Sequence, residues 1–214
     1  MSTGMDTLRS LLQWRLLPGS HKWPGPDGGT CINEAAIVAA GLDYRPVRGV
    51  DELPACFCPV IGAYLIKIND VLPDDERQKL MRFVLRLSGS RDTPAVEQQR
   101  LEFIVVETVR RIVSSAMRAI GLPEWAAKCR AATTLQQALD TAAEAAEAAE
   151  AARAAAEAAW AAWAAAEAAW AARATLVDDA IAIVDGALAI GKQAPAIDIA
   201  VASERLEIKA RVTA

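Results

Sequence analysis

A long alanine-rich stretch without glycine or proline constrains the fold of this chain more than any other feature. No helix-breaking residue occurs from Gln136 until Gly186. Alanine has the highest helix propensity of the amino acids, so this stretch is predicted to be helical even without tertiary contacts. We expect one helix from Gln136 to about Arg173, which would be ~57 Å long at 1.5 Å per residue. At Thr175 the sequence allows the helix either to continue or to restart.

Three tryptophans interrupt the alanines in the second half of this predicted helix: Trp160, Trp163 and Trp170. At 100° per residue, Trp163 and Trp170 lie within ~20° of each other around the helix, and Trp160 lies within ~80° of both. They form one broad apolar surface, the tryptophan face, which Glu167 and Arg173 flank. Indole rings with a polar N–H group are favoured at interfaces, and the alanine on the opposite side allows another helix to approach closely.

Three interpretations of the tryptophan face follow from the sequence. It packs on the protein's own N-terminal domain and tail, it associates with a second copy of the chain, or it binds another helical protein. Binding to a membrane surface is disfavoured, because the charges along this helix are mainly acidic and avoid anionic lipid. An ice-binding function is disfavoured because the threonines of the region form no regular row.

The rest of the chain predicts further helices and therefore an all-α fold. Pro73 is followed by three carboxylates, which is typical of a helix start, because acidic side chains complement the positive end of the helix dipole. The clearest amphipathic helix begins at Pro94, ends at Gly121, and carries arginines on its polar side. These arginines are Arg100, Arg110, Arg111 and Arg118. We predict three parts: a multi-helix N-terminal domain over 1–121, the long helix with a short lead-in helix over 122–174, and a helical C-terminal tail over 175–214.

Two helices are predicted near the N-terminus, on either side of a loop rich in glycine and proline. The first spans residues 6–17, where leucines recur at helical spacing. The second is predicted over 31–40, with Thr30 as its cap and Gly41 at its end. The loop between them, 19–29, is too dense in glycine and proline for regular structure.

Composition disfavours several classes of function. A formal net charge of −4 gives no general electrostatic reason to bind nucleic acid. No uncharged apolar run reaches the length of a transmembrane helix, and the first 18 residues lack the pattern of a signal peptide. We therefore expect a cytoplasmic protein whose four cysteines are reduced.

One set of residues has the composition of a metal site: His21, Cys31, Cys56 and Cys58. Zinc accepts three thiolates and one imidazole, so zinc is the cofactor that this set would bind. The spacing is not that of a zinc knuckle, because one residue rather than two separates Cys56 from Cys58. The alternative interpretation is three small apolar side chains and a loop histidine, with no cofactor.

Catalytic chemistry has little support in the sequence. His21 is the sole histidine and no G-x-S-x-G motif occurs, so we assign no catalytic residue. Cys31 at a helix start is expected to have a lowered pKa, since a helix N-terminus stabilises thiolate. Glu34, Asp70 and Asp74 form a carboxylate cluster if the first helices converge, and are otherwise capping or solvated residues.

Four short motifs in the first part of the chain carry a resemblance to a family. They are Cys31-Ile32-Asn33-Glu34-Ala35-Ala36, Tyr44-Arg45-Pro46-Val47, Leu53-Pro54-Ala55-Cys56-Phe57 and Asn69-Asp70. With them the chain resembles uncharacterised bacterial and phage-associated proteins that join such a region to an Ala/Trp-rich helical tail. The resemblance covers roughly residues 1–120, and the tail is similar in composition alone. Serine is common in that family where this chain has Cys58, which weakens the metal interpretation.

The resemblance implies a shared domain of phage or mobile-element origin and no established activity. Taken with the residues, it favours a non-enzymatic interaction or assembly protein. This protein would form a homo-oligomer or bind another helical protein through Trp160, Trp163, Trp170, Glu167 and Arg173. The alternative function is a small metal- or thiol-dependent domain built on His21, Cys31, Cys56 and Cys58.

Overall fold

The fold, given by a computed structural model, is mainly helical in the described part of the chain. The structure describes residues 14–22, 29–157, 162–193 and 195–212, with side chains for all of these except 151–157, 162–175 and 207–212. Within these ranges the only extended pairing is one isolated parallel bridge, between Leu16 and Thr30. The all-α prediction is therefore confirmed.

The chain divides into two compact units. The first unit consists of Met1–Glu97 together with Gly191–Ala214, and the second unit is Gln98–Ile190. These limits differ from the boundaries at 121 and 174 that the sequence suggested. They differ because the C-terminal helix packs on the N-terminal helices, whereas the chain over 108–119, which continues the helix that begins at Pro94, contacts the helices of the second unit.

The first unit contains helices joined by short loops, with α1 at its centre. Its elements are α1 (Ile32–Ala39), a 3-10 turn (Val50–Glu52), α2 (Pro59–Val71), α3 (Asp74–Arg77) with a 3-10 continuation (Gln78–Phe83), and α9 (Ile199–Val212). All eight residues of α1 are buried. Its sequence, INEAAIVA, has small or apolar side chains on every side except at two positions, so α2, α9 and the 3-10 continuation of α3 can all contact it.

Residues 14–17 are extended and not helical. The main-chain N–H of Leu17 donates to the carbonyl oxygen of Thr30 (3.0 Å), and the N–H of Thr30 donates to that of Arg15 (3.2 Å). A Cβ atom at Gly29 would lie 1.9 Å from the oxygen of Arg15, so the close approach requires glycine. The predicted helix over 6–17 is thus wrong at 14–17, where pairing with Thr30 replaces local helical bonding, and its residues 6–13 lie outside the described residues.

The first buried helix, predicted over 31–40, begins one residue later and ends one residue earlier, at Ile32 and Ala39. Cys31, with an extended backbone, is the cap residue of α1 instead of Thr30. The helix ends before Gly41, whose φ of +74° lies in the left-handed region that glycine adopts readily. The helix predicted to start at Pro73 also begins there, with Pro73 as its cap and three acidic residues in its first turn.

The second unit is built from helices of very different length. They are α4 (Pro94–Glu107), a π-helical segment (Thr108–Val113), α5 (Ser114–Ala119), α6 (Pro123–Ala131), α7 (Leu135–Glu157) and α8 (Ala162–Ala189). One core cluster consists of Val109, Met117, Ala126, Cys129, Ala132, Ala138 and Ala145. Alanine occupies more than half of these positions, so the helices of this cluster approach each other closely.

The alanine-rich stretch supplies two helices, α7 and α8, that are not collinear. Ala145 of α7 shares the core cluster with Val109 of the π segment. On α8, the Asp179 carboxylate lies 3.5 Å from the guanidinium of Arg111, which also belongs to the π segment. In one straight helix, Ala145 and Asp179 would be ~50 Å apart, so both could not contact a segment of this length.

The helix predicted over 136–173 is therefore represented by α7 and by the first part of α8, and residues 158–161 lie outside the described residues. Helix α8 passes through Thr175 without a break and ends at Ala189, which decides between the two alternatives for that position. From Val177 onward its inner side is apolar and buried, through Val177, Ala180, Ile183, Val184 and Ala187.

Candidate functional site around Glu34

The carboxylate of Glu34 is the centre of a buried polar cluster in the first unit. The residue is completely buried, and four donors surround its two oxygens. Oε1 accepts hydrogen bonds from Ser20 Oγ (2.8 Å), His21 N (3.1 Å) and Val47 N (3.0 Å). Oε2 accepts one from Cys31 N (3.1 Å). An ionised carboxylate is costly to bury unless such donors replace its water shell, and these four donors do so.

The position of Glu34 follows from the local sequence. It is the third residue of α1, and Cys31 is the cap residue, so the pair has the spacing of a capping box. Glu34 provides the half of that motif in which the acidic side chain accepts from the cap residue's N–H. The positive end of the helix dipole also stabilises its negative charge. The same carboxylate then holds the loop at Ser20 and His21 against the segment at Val47.

His21 and Tyr44 complete this cluster. His21 Nδ1 lies 3.7 Å from Glu34 Oε2, which is beyond hydrogen-bonding distance, and the imidazole is only 13% exposed. The hydroxyl of Tyr44 donates to the carbonyl oxygen of His21. Burial, followed by the negative charge of Glu34, raises the pKa of Tyr44 well above its usual value. Tyr44 therefore remains a neutral donor and adds a second link between the segment at Val47 and the loop at His21.

Cys31 is a protonated thiol in this environment. Its side chain is buried, and burial together with the charge of Glu34 raises the pKa of Cys31 far above its ordinary value. Hydrogen bonds from main-chain N–H groups at the start of α1 act in the opposite direction but are outweighed. The lowered pKa expected from the helix start is therefore wrong, because burial of the thiol and the nearby charge of Glu34 outweigh the effect of the helix start. This thiol is not an activated nucleophile.

The motif Asn69-Asp70 connects α2 to the extended N-terminal segment. Asn69 Oδ1 accepts from Ile32 N (3.2 Å), and its Nδ2 donates to the carbonyl oxygen of Leu17 (2.8 Å). Asp70 Oδ1 accepts from Gly19 N (2.7 Å). Asn69 is fully buried, so both of its polar atoms replace water with protein partners. The motif is therefore accounted for by structure that surrounds the Glu34 cluster.

The three carboxylates that were expected to converge bind different donors. Asp70 accepts from Gly19, while Asp74 accepts from Arg77 (2.6 Å) and Arg15 (3.1 Å). The hydrogen bond from Arg77 and the charge of that residue lower the pKa of Asp74. Neither residue bonds to the donors that surround Glu34. Each carboxylate thus stabilises its own junction between segments.

The predicted metal ligands are distributed over different parts of the structure. His21 and Cys31 both contact Glu34, as described above. Cys58 is buried at the cap of α2, with its N–H donating to Ser90 Oγ (2.9 Å), and the half-buried Cys56 accepts at its carbonyl oxygen from Arg91 N (3.0 Å). Among the side chains described, no three from His, Cys, Asp and Glu are grouped as a metal ion requires. Zinc binding stays a prediction.

The predicted interaction residues are outside the described side chains. Trp160 lies outside the described residues, and Trp163, Glu167, Trp170 and Arg173 lie on α8 at positions whose side chains are not described. Along α8, Trp163 lies two heptads before the buried Val177, and Trp170 lies one heptad before it. The role of these residues as an interaction surface stays a prediction.

Two roles in the structure were not foreseen from the sequence. Glu34 was interpreted as a capping or solvated residue, and the spacing from Cys31 to Glu34 was the signal for the capping part alone. Arg100 was placed on the polar side of its helix, yet it is completely buried. Its Nε and one terminal nitrogen donate to the carbonyl oxygen of Ile190, at 3.0 Å and 2.7 Å, just beyond the end of α8. Arg100 therefore satisfies a carbonyl at a helix end that no intrahelical donor reaches.

Comparison with known proteins gives no relative from which to transfer a function. The chain matches no protein-family model, no curated protein and no solved structure. In the described part of the chain, no helix has both the length and the apolar character needed to cross a membrane. The functional argument therefore depends on the residues themselves.

Proposed function

We propose that the protein is a cytoplasmic, non-enzymatic interaction or assembly protein that associates through the tryptophan face of Trp160, Trp163 and Trp170. The observation that carries this proposal is the sequence from 158 to 173, in which three indole side chains stand among alanines. Tryptophan is enriched among the residues that contribute most to binding energy at interfaces. Glu167 and Arg173 would supply the polar rim of such a contact. A second copy of the chain is the preferred partner, and another helical protein is the alternative.

The packing of α7 supports this proposal, because it shows how helices of this composition associate. Ala138 and Ala145 are completely buried in the second unit, and Ala142 and Ala149 are partly buried beside them. These positions alternate in steps of four and three, as in helices that pack along a seam. The inner alanine surface of α7 is thus a packing surface, which is the property that the alanine around the tryptophans would need.

The polar cluster supports the non-enzymatic part of the proposal. Each oxygen of Glu34 is engaged by donors from the surrounding loops, and Cys31 is held as a thiol. General base or nucleophilic chemistry needs a group that is accessible and in its reactive protonation state. The use of these groups to hold loop segments together favours a structural role for the cluster.

The test is the oligomeric state of the full chain with and without the tryptophan face. Light scattering after size-exclusion chromatography is expected to give a defined oligomer for the wild type and a smaller species for the variant with Trp160→Ala, Trp163→Ala and Trp170→Ala. The matched control replaces three exposed valines elsewhere, Val50→Ala, Val71→Ala and Val201→Ala. It should retain the wild-type mass. A monomeric wild type, or an oligomer that survives the tryptophan changes, would contradict self-association through this face.

A metal- or thiol-dependent domain is the second candidate, and one observation favours it. His21 and Cys31 contact the same carboxylate, so two of the four predicted ligands lie close to a third potential ligand. The raised pKa of Cys31 weighs against it, because metals bind the thiolate. Elemental analysis of untagged protein, purified without chelators, tests this candidate. Zinc at one equivalent per chain would support it, and the absence of stoichiometric metal would remove it.

A further inference from the structure

A pocket of about 300 Å³ lies on the surface of the first unit, and Tyr44 of the Glu34 cluster forms part of its wall. One wall is the segment that follows α1, and the other is the segment that precedes α2. The residues that line the pocket are Leu42, Asp43, Tyr44, Arg45, Pro54 and Ala55. Asp43, Arg45 and Ala55 are exposed, so the pocket opens to solvent. A space equal to about ten water molecules, at ~30 Å³ each, suits a small molecule and not a macromolecule.

The first wall is fixed by hydrogen bonds along its length. The N–H of Leu42 donates to the carbonyl oxygen of Ile37 (3.1 Å), and the N–H of Val47 donates to Glu34 Oε1 (3.0 Å). Between these two points, the Tyr44 hydroxyl donates to the carbonyl oxygen of His21. These bonds fix the shape of the wall although it has no regular secondary structure. The binding of a ligand would therefore not have to order it.

The second wall is fixed by a close contact with α2. A Cβ atom at Gly62 would lie 2.4 Å from Cδ1 of Leu53, so the glycine allows Leu53 to pack directly on the backbone of the helix. Leu53 is buried, and in the turn that follows the N–H of Phe57 donates to the carbonyl oxygen of Pro54 (2.9 Å). Both walls are thus supported from inside the protein. The pocket is therefore largely pre-formed, as small-molecule sites usually are.

Two side chains of opposite charge line this pocket without a protein partner. Within the described structure, neither the Asp43 carboxylate nor the Arg45 guanidinium forms an ion pair or a side-chain hydrogen bond. The two residues are two positions apart, so their Cα atoms are at most ~7 Å from each other. An anion would be attracted by Arg45 and repelled by Asp43, and a cation would meet the reverse. A ligand that carries both charges is attracted by both residues.

The rest of the lining is mainly apolar. Leu42, Pro54 and Ala55 contribute aliphatic groups, and Tyr44 contributes an aromatic ring whose hydroxyl is already bonded to His21. Surfaces of this kind favour an apolar group on the ligand, because contact with them removes apolar area from water. The lining as a whole therefore matches an ammonium, a carboxylate and an apolar group within one small molecule. An α-amino acid with an apolar side chain carries these three groups on a single carbon atom.

We propose that this pocket binds a free α-amino acid with an apolar side chain, of the size of leucine or phenylalanine. Asp43 accepts hydrogen bonds from the ammonium group, and Arg45 donates to the carboxylate. Charge-assisted hydrogen bonds of this kind are stronger than those between neutral groups. A residue inside a peptide lacks both charges, so the pocket distinguishes a free amino acid from a peptide segment. The proposal goes beyond the proposed self-association and does not depend on it.

A series of ligands tests this chemistry on the unaltered full-length protein. Isothermal titration calorimetry with leucine and with phenylalanine is expected to show one site per chain, with a dissociation constant below about 1 mM for the tighter ligand. The N-acetyl form of that ligand lacks the ammonium group and its amide form lacks the carboxylate. Each should bind at least about tenfold more weakly. Two results would overturn the proposal: no saturable binding up to roughly 10 mM, or equal affinity for all three forms.

Substitutions test whether the amino acid binds in this pocket. Asp43→Asn and Arg45→Gln should each weaken binding at least about tenfold, because each removes one charged partner. Asp43→Asn should also abolish the preference over the N-acetyl form, and Arg45→Gln the preference over the amide, which a loss of folding would not do. The matched controls Asp51→Asn and Arg48→Gln remove the same charges at exposed positions outside the lining, and should bind as the wild type does. Unchanged binding in both pocket variants would overturn the assignment.

Discussion

The guanidinium of Arg205 on α9 donates to the carbonyl oxygen of Ala39 at the end of α1, at a distance of 2.6 Å. The same group lies against Gly41, where an added Cβ would be 2.9 Å from the guanidinium carbon. The last carbonyls of a helix lack intrahelical donors, and a cation there also complements the dipole. One side chain therefore joins two segments of the first unit that are far apart in sequence.

Replacing Arg205 by alanine is expected to loosen α9 from α1. The free energy of unfolding of the first unit should fall by about 1.5–3 kcal/mol, the range for a hydrogen bond that involves a charged group. Hydrogen exchange of peptides from α1 and α9 should accelerate together. Glu204→Ala, at the exposed neighbouring position, is the control and should leave that exchange unchanged. Exchange in α1 that is equally slow in both variants would contradict a joining role for Arg205.

Replacing Glu34 by glutamine is expected to destabilise the first unit although the shape of the side chain is kept. In glutamine an NH2 group replaces one of the two carboxylate oxygens, so N–H groups would face N–H or O–H donors that now bond to Glu34. The free energy of unfolding should therefore fall by about 3 kcal/mol. Urea unfolding followed by circular dichroism measures this change. Glu124→Gln, on the exposed side of α6, removes the same charge and should change the midpoint very little. A similar small effect for both variants would show that the cluster does not need the charge.

The stability of the first unit is expected to fall at alkaline pH because of Cys31. Its pKa in the folded protein lies above the ordinary value of 9.0, so stability is complete below that pH. Above it the unfolded chain loses the thiol proton while the folded chain retains it, and each such group lowers stability by about 1.4 kcal/mol per pH unit. Tyr44 contributes in the same direction above its ordinary value of 10.0.

Denaturation at several pH values measures this dependence. Between pH 9 and 10, Cys31→Ala should show a smaller decrease in the free energy of unfolding than the wild type, whatever its stability at neutral pH. Equal slopes in the two proteins would exclude Cys31 as the source. Alkylation at pH 8 offers a separate check, because the buried thiol of Cys31 should react more slowly than that of the half-buried Cys56.

Gly29→Ala is expected to separate the extended N-terminal segment from Thr30. The new Cβ would overlap the main-chain oxygen of Arg15, which cannot rotate away as a side chain can, so we expect a loss of about 2–3 kcal/mol. Gly49→Ala is the matched control, because its nearest neighbour is the exposed carboxylate of Asp51, which can move. Limited proteolysis near Leu16 should increase in the first variant alone. Equal protection in both would mean that the close pairing is dispensable.

The sequence predicted the elements whose causes are local. Helix α1, the end at Gly41 and the helix start at Pro73 follow from propensity, glycine geometry and charge at a helix end. Residues 14–17 were predicted incorrectly, because their leucines fit a helix and the competing partner, Thr30, lies beyond a loop. The sequence pattern of one segment does not show which hydrogen bonds that segment forms with another segment.

The same distinction applies to the site and to the alanine-rich region. The spacing of Cys31 and Glu34 indicates a cap, but the donors from Ser20 and Val47 come from segments whose positions no local pattern specifies. High helix propensity correctly predicted helical structure in both α7 and α8. It could not predict that both helices contact one π-helical segment. Their separation depends on contacts of Ala145 and Asp179 with partners distant in sequence.

The division of the first unit between two ends of the sequence has a consequence for its biosynthesis. The second unit, 98–190, is one continuous segment and can fold as soon as it leaves the ribosome. Helix α1 emerges earlier, but the helix that covers it arrives 166 residues later, counted from Ala39 to Arg205. At bacterial and eukaryotic synthesis rates this delay is roughly 10–30 s. Throughout that time the apolar surface of α1 that α9 will cover is open to chaperones, so the nascent chain completes its first unit last.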